Sequence, residues 1–196
     1  TLQEANAESI PTVAVAKPVG WAANEVPAAA EGLAVNRFAE GLDHPRTLQA
    51  LPNGDILVSL TRAPKSEESG GITGWIANLL MSRAGATGES PNQVVLLRDA
   101  DGDGKAEIRQ VLLDGLNSPS GLAWGDGTLY VANNDAVLAY PYELGATRVS
   151  GQPRKIADLA PGGGHWMRNL ALHPDGNRLY AAVGSDTNIA DKGLEA

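Results

Sequence analysis

"GLNSPSGLAWGDGTLYVANN", residues 115–134, decides the fold. A loop leads into a short apolar run. A turn built on Asp and Gly follows, and then a second apolar run. Runs this short, punctuated by turn residues, read as two antiparallel strands rather than as helix. The same layout occurs in "GLDHPRTLQALPNGDILVSL", from Gly41, and in "HWMRNLALHPDGNRLYAAVG", from His165. The turn glycines are Gly54, Gly127 and Gly176, so the spacings are 73 (127 − 54) and 49 (176 − 127). Further strand-like runs stand between them: "QVVLLR", "IRQVLLDGL", "AVLAYPY" and "RKIADLA". About four short strands per ~40–50 residues is the pattern of β-propeller blades. The expected fold is therefore all-β.

The longer first spacing contains residues 63–92, "APKSEESGGITGWIANLLMSRAGATGESPN". Within it Ile72, Ile76, Leu79 and Leu80 fall on one helical face, which predicts a polar loop and a short amphipathic helix inserted into a blade. Residues 1–32 are rich in Ala, Pro and Glu and lack a period, so they read as an extended N-terminal arm. Order begins with "LAVNRFAEGL", which alternates like a strand. Residues 33–196 then form the first blades. Three blades do not close a ring of ~4–8, so the chain is expected to need a remaining C-terminal part, on the same polypeptide or another.

Bulk properties exclude several classes. The 196 residues are 43% hydrophobic, enough for a packed core. Net charge is −8, which disfavours nucleic acid and anionic lipid as partners. There is no cysteine, which removes disulfides, thiolate metal sites and cysteine nucleophiles. No apolar run approaches the ~20 residues of a membrane span.

Two stretches carry chemistry. "RDADGDGKAEIR" places Asp99, Asp101 and Asp103 at alternate positions, with Lys105 supplying a carbonyl at the seventh and Glu107 a carboxylate at the ninth. Hard cations want such an oxygen set on a tight loop, and without a cation the carboxylates repel one another. This points to calcium bracing a hairpin. A Gly/Asp-rich turn without an ion is the other reading. The second stretch is "PGGGHWMRN", residues 161–169. Gly162, Gly163 and Gly164 allow close approach of a flat ligand. His165 is a candidate general base, since imidazoles titrate near neutrality. Arg168 is a candidate carboxylate clamp, and Asn169 and Asn188 are candidate ligand contacts. The residues alone also allow His165 to be a packing residue and Arg168 a surface charge. His44 and His173 read as ordinary loop residues; so does Arg46, although it stands in the corresponding entry of the first blade, from which it could point at the same axis.

"GLDHPRTLQALPNGDILV", "LLRDADGDGKAE", "GLNSPSGLAWGDGTLYVANNDAVLAYPY" and "GHWMRNLALHPDGNRLYAAVGSDTNIA" together resemble the sorbosone dehydrogenase family, relatives of the soluble quinoprotein glucose dehydrogenases. The resemblance spans residues 33–196. It implies a propeller of six blades when complete, of which this chain forms roughly the N-terminal half, and export to the periplasm. It also implies pyrroloquinoline quinone (PQQ) with calcium on the axis, oxidation of a sugar or related aldehyde, and a separate electron acceptor. His165 matches the family's general base, eight residues before the "HPDG" turn begins. The family's Gly-Asp-x-Gly-Arg-Asn is replaced by "GSDTN": Asn188 matches the Asn, but Thr187 stands in place of the Arg, and Arg168 is the candidate to replace it. The family's axial calcium ligands come from later blades, so the Asp99–Glu107 loop is a different site. Two rivals stand beside this reading. One is a calcium-dependent lactonase-type propeller using Asn133, Asn134 and Asn188. The other is a non-catalytic binding propeller whose partner docks through residues 63–92.

Overall fold

In the computed structural model, residues 18–22, 25–64, 71–85, 88–160 and 165–184 are described. The chain is almost all-β. Its first sheet runs β1 (Pro45–Ala50), β2 (Ile56–Leu60), β3 (Gln93–Arg98) and β4 (Ile108–Leu113), each antiparallel to the next. The second repeats the plan with β5 (Gly121–Gly125), β6 (Thr128–Ala132), β7 (Ala136–Pro141) and β8 (Arg154–Asp158). The third holds β9 (Arg168–Leu172) and β10 (Leu179–Val183). The first strands of the sheets, β1, β5 and β9, lie side by side. This is the arrangement of consecutive propeller blades around an axis, with the meander of each sheet running outward.

Local sequence explains each hairpin. Between β5 and β6 only Asp126 and Gly127 turn the chain, both at positive φ (47° and 73°), the conformation that a two-residue hairpin requires. The apolar side chains of the first two blades then meet. Leu57, Val94, Leu96, Leu112 and Leu113 from the first sheet pack with Leu122, Leu129, Val131, Tyr140 and Tyr142 from the second. Val58, Leu60, Val95 and Leu97 face the other way and are covered by Phe38, Ala39 and Leu42.

That cover corrects one expectation. Residues 33–42 were expected to form a strand, but they join no ladder, although their backbone and side chains lie across the first blade. The segment is held instead by side chains and isolated bonds: the Phe38 carbonyl accepts from the Ala106 N–H at 2.8 Å, and the Arg109 guanidinium donates to the carbonyls of Glu40 and Gly41.

The insert holds α1 (Gly71–Arg83), between β2 and β3. Its predicted apolar stripe is not buried as a stripe. Ile76 and Leu79 are exposed, Leu80 is partly covered, and the side chain of Ile72 lies outside the described residues. Trp75 and Met81 are exposed as well. The helix carries one charged residue, Arg83, so its apolar side chains wrap around the cylinder and leave no polar face opposite. Pro18 of the arm and Arg62 of the first blade approach its C-terminal turn at Gly85.

Candidate functional site

Antiparallel alternation gives each blade two ends. The starts of β1, β5 and β9, and the ends of β2, β6 and β10, share one end. The turns within the β1–β2, β3–β4, β5–β6 and β9–β10 pairs share the other. His44 and Arg46, Asn133 and Asn134, and His165 and Arg168 therefore gather at the first end, although they come from three blades. The Asp99–Glu107 loop joins β3 to β4 and lies at the second.

Hydrogen bonds at the first end staple the blades. Thr47 Oγ1 donates to the Ser120 carbonyl at 2.5 Å. Ser120 Oγ accepts from the Arg168 N–H at 2.7 Å and donates to the Arg168 carbonyl at 3.1 Å. Ser120 is completely buried, so these bonds replace water for groups that would otherwise be orphaned. The approach of blades two and three is so close that a Cβ on Gly121 would stand 2.6 Å from the Arg168 carbonyl oxygen.

Arg168 is 1% exposed. Its guanidinium donates to the carbonyls of Ala160 (2.7 Å), His165 (2.9 Å) and Met167 (3.2 Å). Nε has no partner. Burial pushes its pKa below the ordinary arginine value, yet guanidinium titrates so high that it stays charged. The candidate clamp is thus a cation occupied mainly with backbone carbonyls. It fixes the loop from which His165 projects.

His165 is exposed and stands at the mouth of β9. The end of β10 passes so near that a Cβ on Gly184 would lie 2.8 Å from the His165 Cβ. Trp166 is buried, and the Arg46 guanidinium lies over its ring, 5.5 Å from the centroid. Arg46 also donates Nε–H to the Thr61 carbonyl at 3.2 Å. Asn133 and Asn134 are buried at the end of β6, and Asn133 Oδ1 has no partner. Asn169 is exposed on β9 opposite Ala182. Asn188 and Gly162–Gly164 lie outside the described residues.

At the far end, one ligand atom each from Asp99, Asp101, Asp103 and Glu107 falls within 4.8 Å of the others. Two oxygens on one calcium, each at 2.3–2.6 Å, stand at most ~5 Å apart, so the spacing fits. Asp99 accepts from the N–H groups of Gly102 (2.6 Å) and Gly104 (2.8 Å). The Gly104 bond, with help from neighbouring N–H groups, holds the Asp99 carboxyl below the usual carboxylate range. Glu107 Oε2 accepts from the Ala100 N–H at 2.7 Å, which closes the loop. Lys105 meets the cluster through its N–H (2.8 Å) and ammonium (3.3 Å), both on Asp103. From the segment that lies on the first blade, Asn36 Nδ2 donates to the Gly104 carbonyl at 2.6 Å.

Arg46, an ordinary loop residue on its sequence context, belongs to this end as well. Its signal is in the sequence, as an arginine after Pro45 at the same strand mouth in blade one that Arg168 occupies in blade three, but position alone does not separate an axial cation from an ordinary loop residue. Ser120 and Gly121 give no such signal, since neither residue type carries chemistry by itself.

No family model matches the chain, and no curated protein matches it. Solved structures do. The calcium and iodide structures of a Trichoderma reesei carbohydrate-active enzyme of family AA12 superpose with a TM-score of 0.60 at 21% identity, covering 86% of this chain and 37% of theirs. The holo form of the pyranose dehydrogenase PQQ domain from Coprinopsis cinerea gives a TM-score of 0.55 at 15% identity, covering 78% of this chain and 30% of that one. The fold is therefore that of PQQ-domain propellers, over the part that this chain spans. It amounts to about a third of the length of those neighbours. Among the described residues, no helix is long and apolar enough to cross a membrane.

Proposed function

We propose that this chain supplies the general base and part of the cofactor seat of a PQQ-dependent dehydrogenase that oxidises a sugar or related aldehyde. The sequence blocks resemble the sorbosone dehydrogenase family, and a fold neighbour is a PQQ domain. The single observation carrying the reading is the exposed His165 imidazole at the converging strand mouths, with Arg46 over the adjoining Trp166. The residues suit a flat, anionic, polar cofactor. An exposed guanidinium, and the unpartnered Asn133 Oδ1, stand at the same end of the blades.

When bound, PQQ supplies the electrophilic carbon that accepts two electrons from the substrate. The chain's own residues do the rest. His165 accepts the proton of the substrate hydroxyl, or of a hydrated aldehyde, at a ring nitrogen. Arg168 holds the carbonyls around that loop and fixes the imidazole against the Gly184 backbone. Asn169 and Asn188 are proposed ligand contacts, with Asn188 in the position of the family's Asn. Calcium is proposed at Asp99, Asp101, Asp103, the Lys105 carbonyl and Glu107. At the opposite end of the blades from His165, it would brace a hairpin and take no part in the chemistry. The remaining blades of the ring, a separate electron acceptor and a periplasmic or secreted setting belong to the same proposal.

In the full-length protein, His165→Ala is expected to leave PQQ bound while cutting turnover by about 100-fold or more. Turnover near that of the wild type overturns the assignment of His165. One observation, the buried Asn133 Oδ1 without a partner, favours a second reading: a metal-dependent lactonase-type hydrolase. Reduced-quinone absorbance after adding PQQ and sugar supports the dehydrogenase. Lactone hydrolysis without PQQ supports the hydrolase.

A further inference from the structure

The cations at the strand-mouth end differ in what they already hold. Arg168 is buried and gives both terminal nitrogens to backbone carbonyls. Arg62 is ion-paired to Asp43 at 2.8 Å. Arg46 is exposed, and among the described residues it has no carboxylate partner. A guanidinium carries five N–H donors, and the bond to the Thr61 carbonyl uses one of them.

Its position is nevertheless fixed from two blades. Thr61, at the end of β2, anchors Nε, and the Trp166 ring lies beneath the guanidinium carbon at 5.5 Å. Trp166 is buried and adjoins His165. A cation held over an aromatic ring keeps its edge N–H groups for an anion and loses little rotamer freedom on binding one. The chain carries a net charge of −8, which repels anionic ligands at long range. A carboxylate that settles at this end therefore needs a local cation, and Arg46 is the accessible, unspent one among the described residues.

We propose that Arg46 is an anion-binding residue: held over Trp166 and tethered to Thr61, it presents its remaining N–H groups to a carboxylate of the ligand that His165 serves. Under the dehydrogenase reading, on which this rests, that carboxylate belongs to PQQ. Arg168 is then the positioning residue of the loop and Arg46 the residue that touches the ligand.

The test is equilibrium binding to the full-length apo-protein, followed by quenching of tryptophan fluorescence, with PQQ and its trimethyl ester as probes. Arg46→Met keeps an unbranched apolar chain over Trp166 but removes the charge. Arg46→Lys keeps a charge without the fork. Wild-type protein is expected to bind the acid more tightly than the ester. Arg46→Met should weaken the acid by about 10- to 100-fold, the range of a hydrogen bond to a charged group, and leave the ester nearly unchanged. Arg46→Lys should fall between. Acid binding by Arg46→Met within about twofold of wild type overturns the proposal and leaves the dehydrogenase reading standing. Equal losses for acid and ester also overturn it, because Arg46 then only supports the Trp166 loop. If wild-type protein binds no PQQ while His165→Ala and wild type behave alike, the dehydrogenase reading falls and takes this proposal with it.

Discussion

Asp55 shows how much one side chain can decide. It sits beside Gly54 in the β1–β2 turn and is almost wholly buried. Arg98, at the end of β3, grips it with Nε at 2.6 Å and a terminal nitrogen at 2.8 Å, and reaches on to the Gly145 carbonyl of the second blade at 2.9 Å. The hydrogen bonds from Arg98 hold the Asp55 carboxyl below the usual carboxylate range, against the opposing effect of burial. Removing one partner of a buried pair leaves the other uncompensated, so Asp55→Asn is expected to cost about 3 kcal/mol, measured by urea unfolding at neutral pH. A lowered native pKa means that the unfolded chain binds more protons in acid. The stabilisation is complete above the ordinary carboxylate value of ~3.9 and is lost as pH falls through the lower native one. Wild-type stability should therefore drop more steeply below pH ~4 than that of Asp55→Asn. Parallel curves would show that the pair contributes nothing through ionisation. In the sequence Asp55 is one more turn residue; Arg98, 43 positions away, gives it its meaning.

Among the elements, the β3–β4 hairpin is the clearest case of a loop whose sequence shows what it is and not what it serves. The alternation of Asp99, Asp101 and Asp103 is enough to read a cation loop, and the geometry brings these carboxylates and Glu107 together. Which end of the blades they occupy depends on strand count and direction. Calcium at about 100 times its dissociation constant is expected to raise Tm by roughly 5–10 °C in a thermal melt, with chelator reversing the rise. Asp101→Asn with Asp103→Asn should abolish the rise and, without calcium, leave Tm equal or slightly higher, because repulsion is relieved. An undiminished calcium response in the double variant would place the ion elsewhere. The α1 insert teaches the opposite lesson. Four apolar residues at helical spacing correctly announce a helix, but the exposure of Ile76 and Leu79 shows that spacing alone does not supply a surface to pack on.

For the molecule as a whole, the blades hold together through close backbone approach at the axis. Gly121→Ala would drive a methyl against the Arg168 carbonyl oxygen, the Ala132 Cβ and the Leu170 side chain. Backbone cannot step aside, so a loss of about 2–3 kcal/mol is expected, with the Ser120–Arg168 staple strained as well. Gly125→Ala is a useful contrast. Its Cβ would meet Leu172 Cδ2 even more closely, but that methyl ends a flexible side chain and can rotate away. The milder variant should be Gly125→Ala, despite its shorter contact. Denaturant midpoints decide this, and a Gly125 variant as unstable as the Gly121 one would show that the Leu172 side chain is not free to turn.

Apart from residues 33–42, the sequence by itself determined the strands, the turns between them and their grouping into blades. Those features follow from side-chain alternation at a period of two and from turn residues that accept positive φ, both of which act over a few residues. It also exposed His165 and the acidic loop as chemically pointed stretches. Only the tertiary structure decided that the two lie at opposite ends of the blades, that Arg168 is buried against backbone carbonyls, and that Arg46 rests on Trp166. Those facts depend on how neighbouring sheets stack. The contacts that fix the stacking, from Thr47 to Ser120 and from Ser120 to Arg168, join residues 73 and 48 positions apart. No local pattern encodes them, because each partner is ordinary until the other is packed against it.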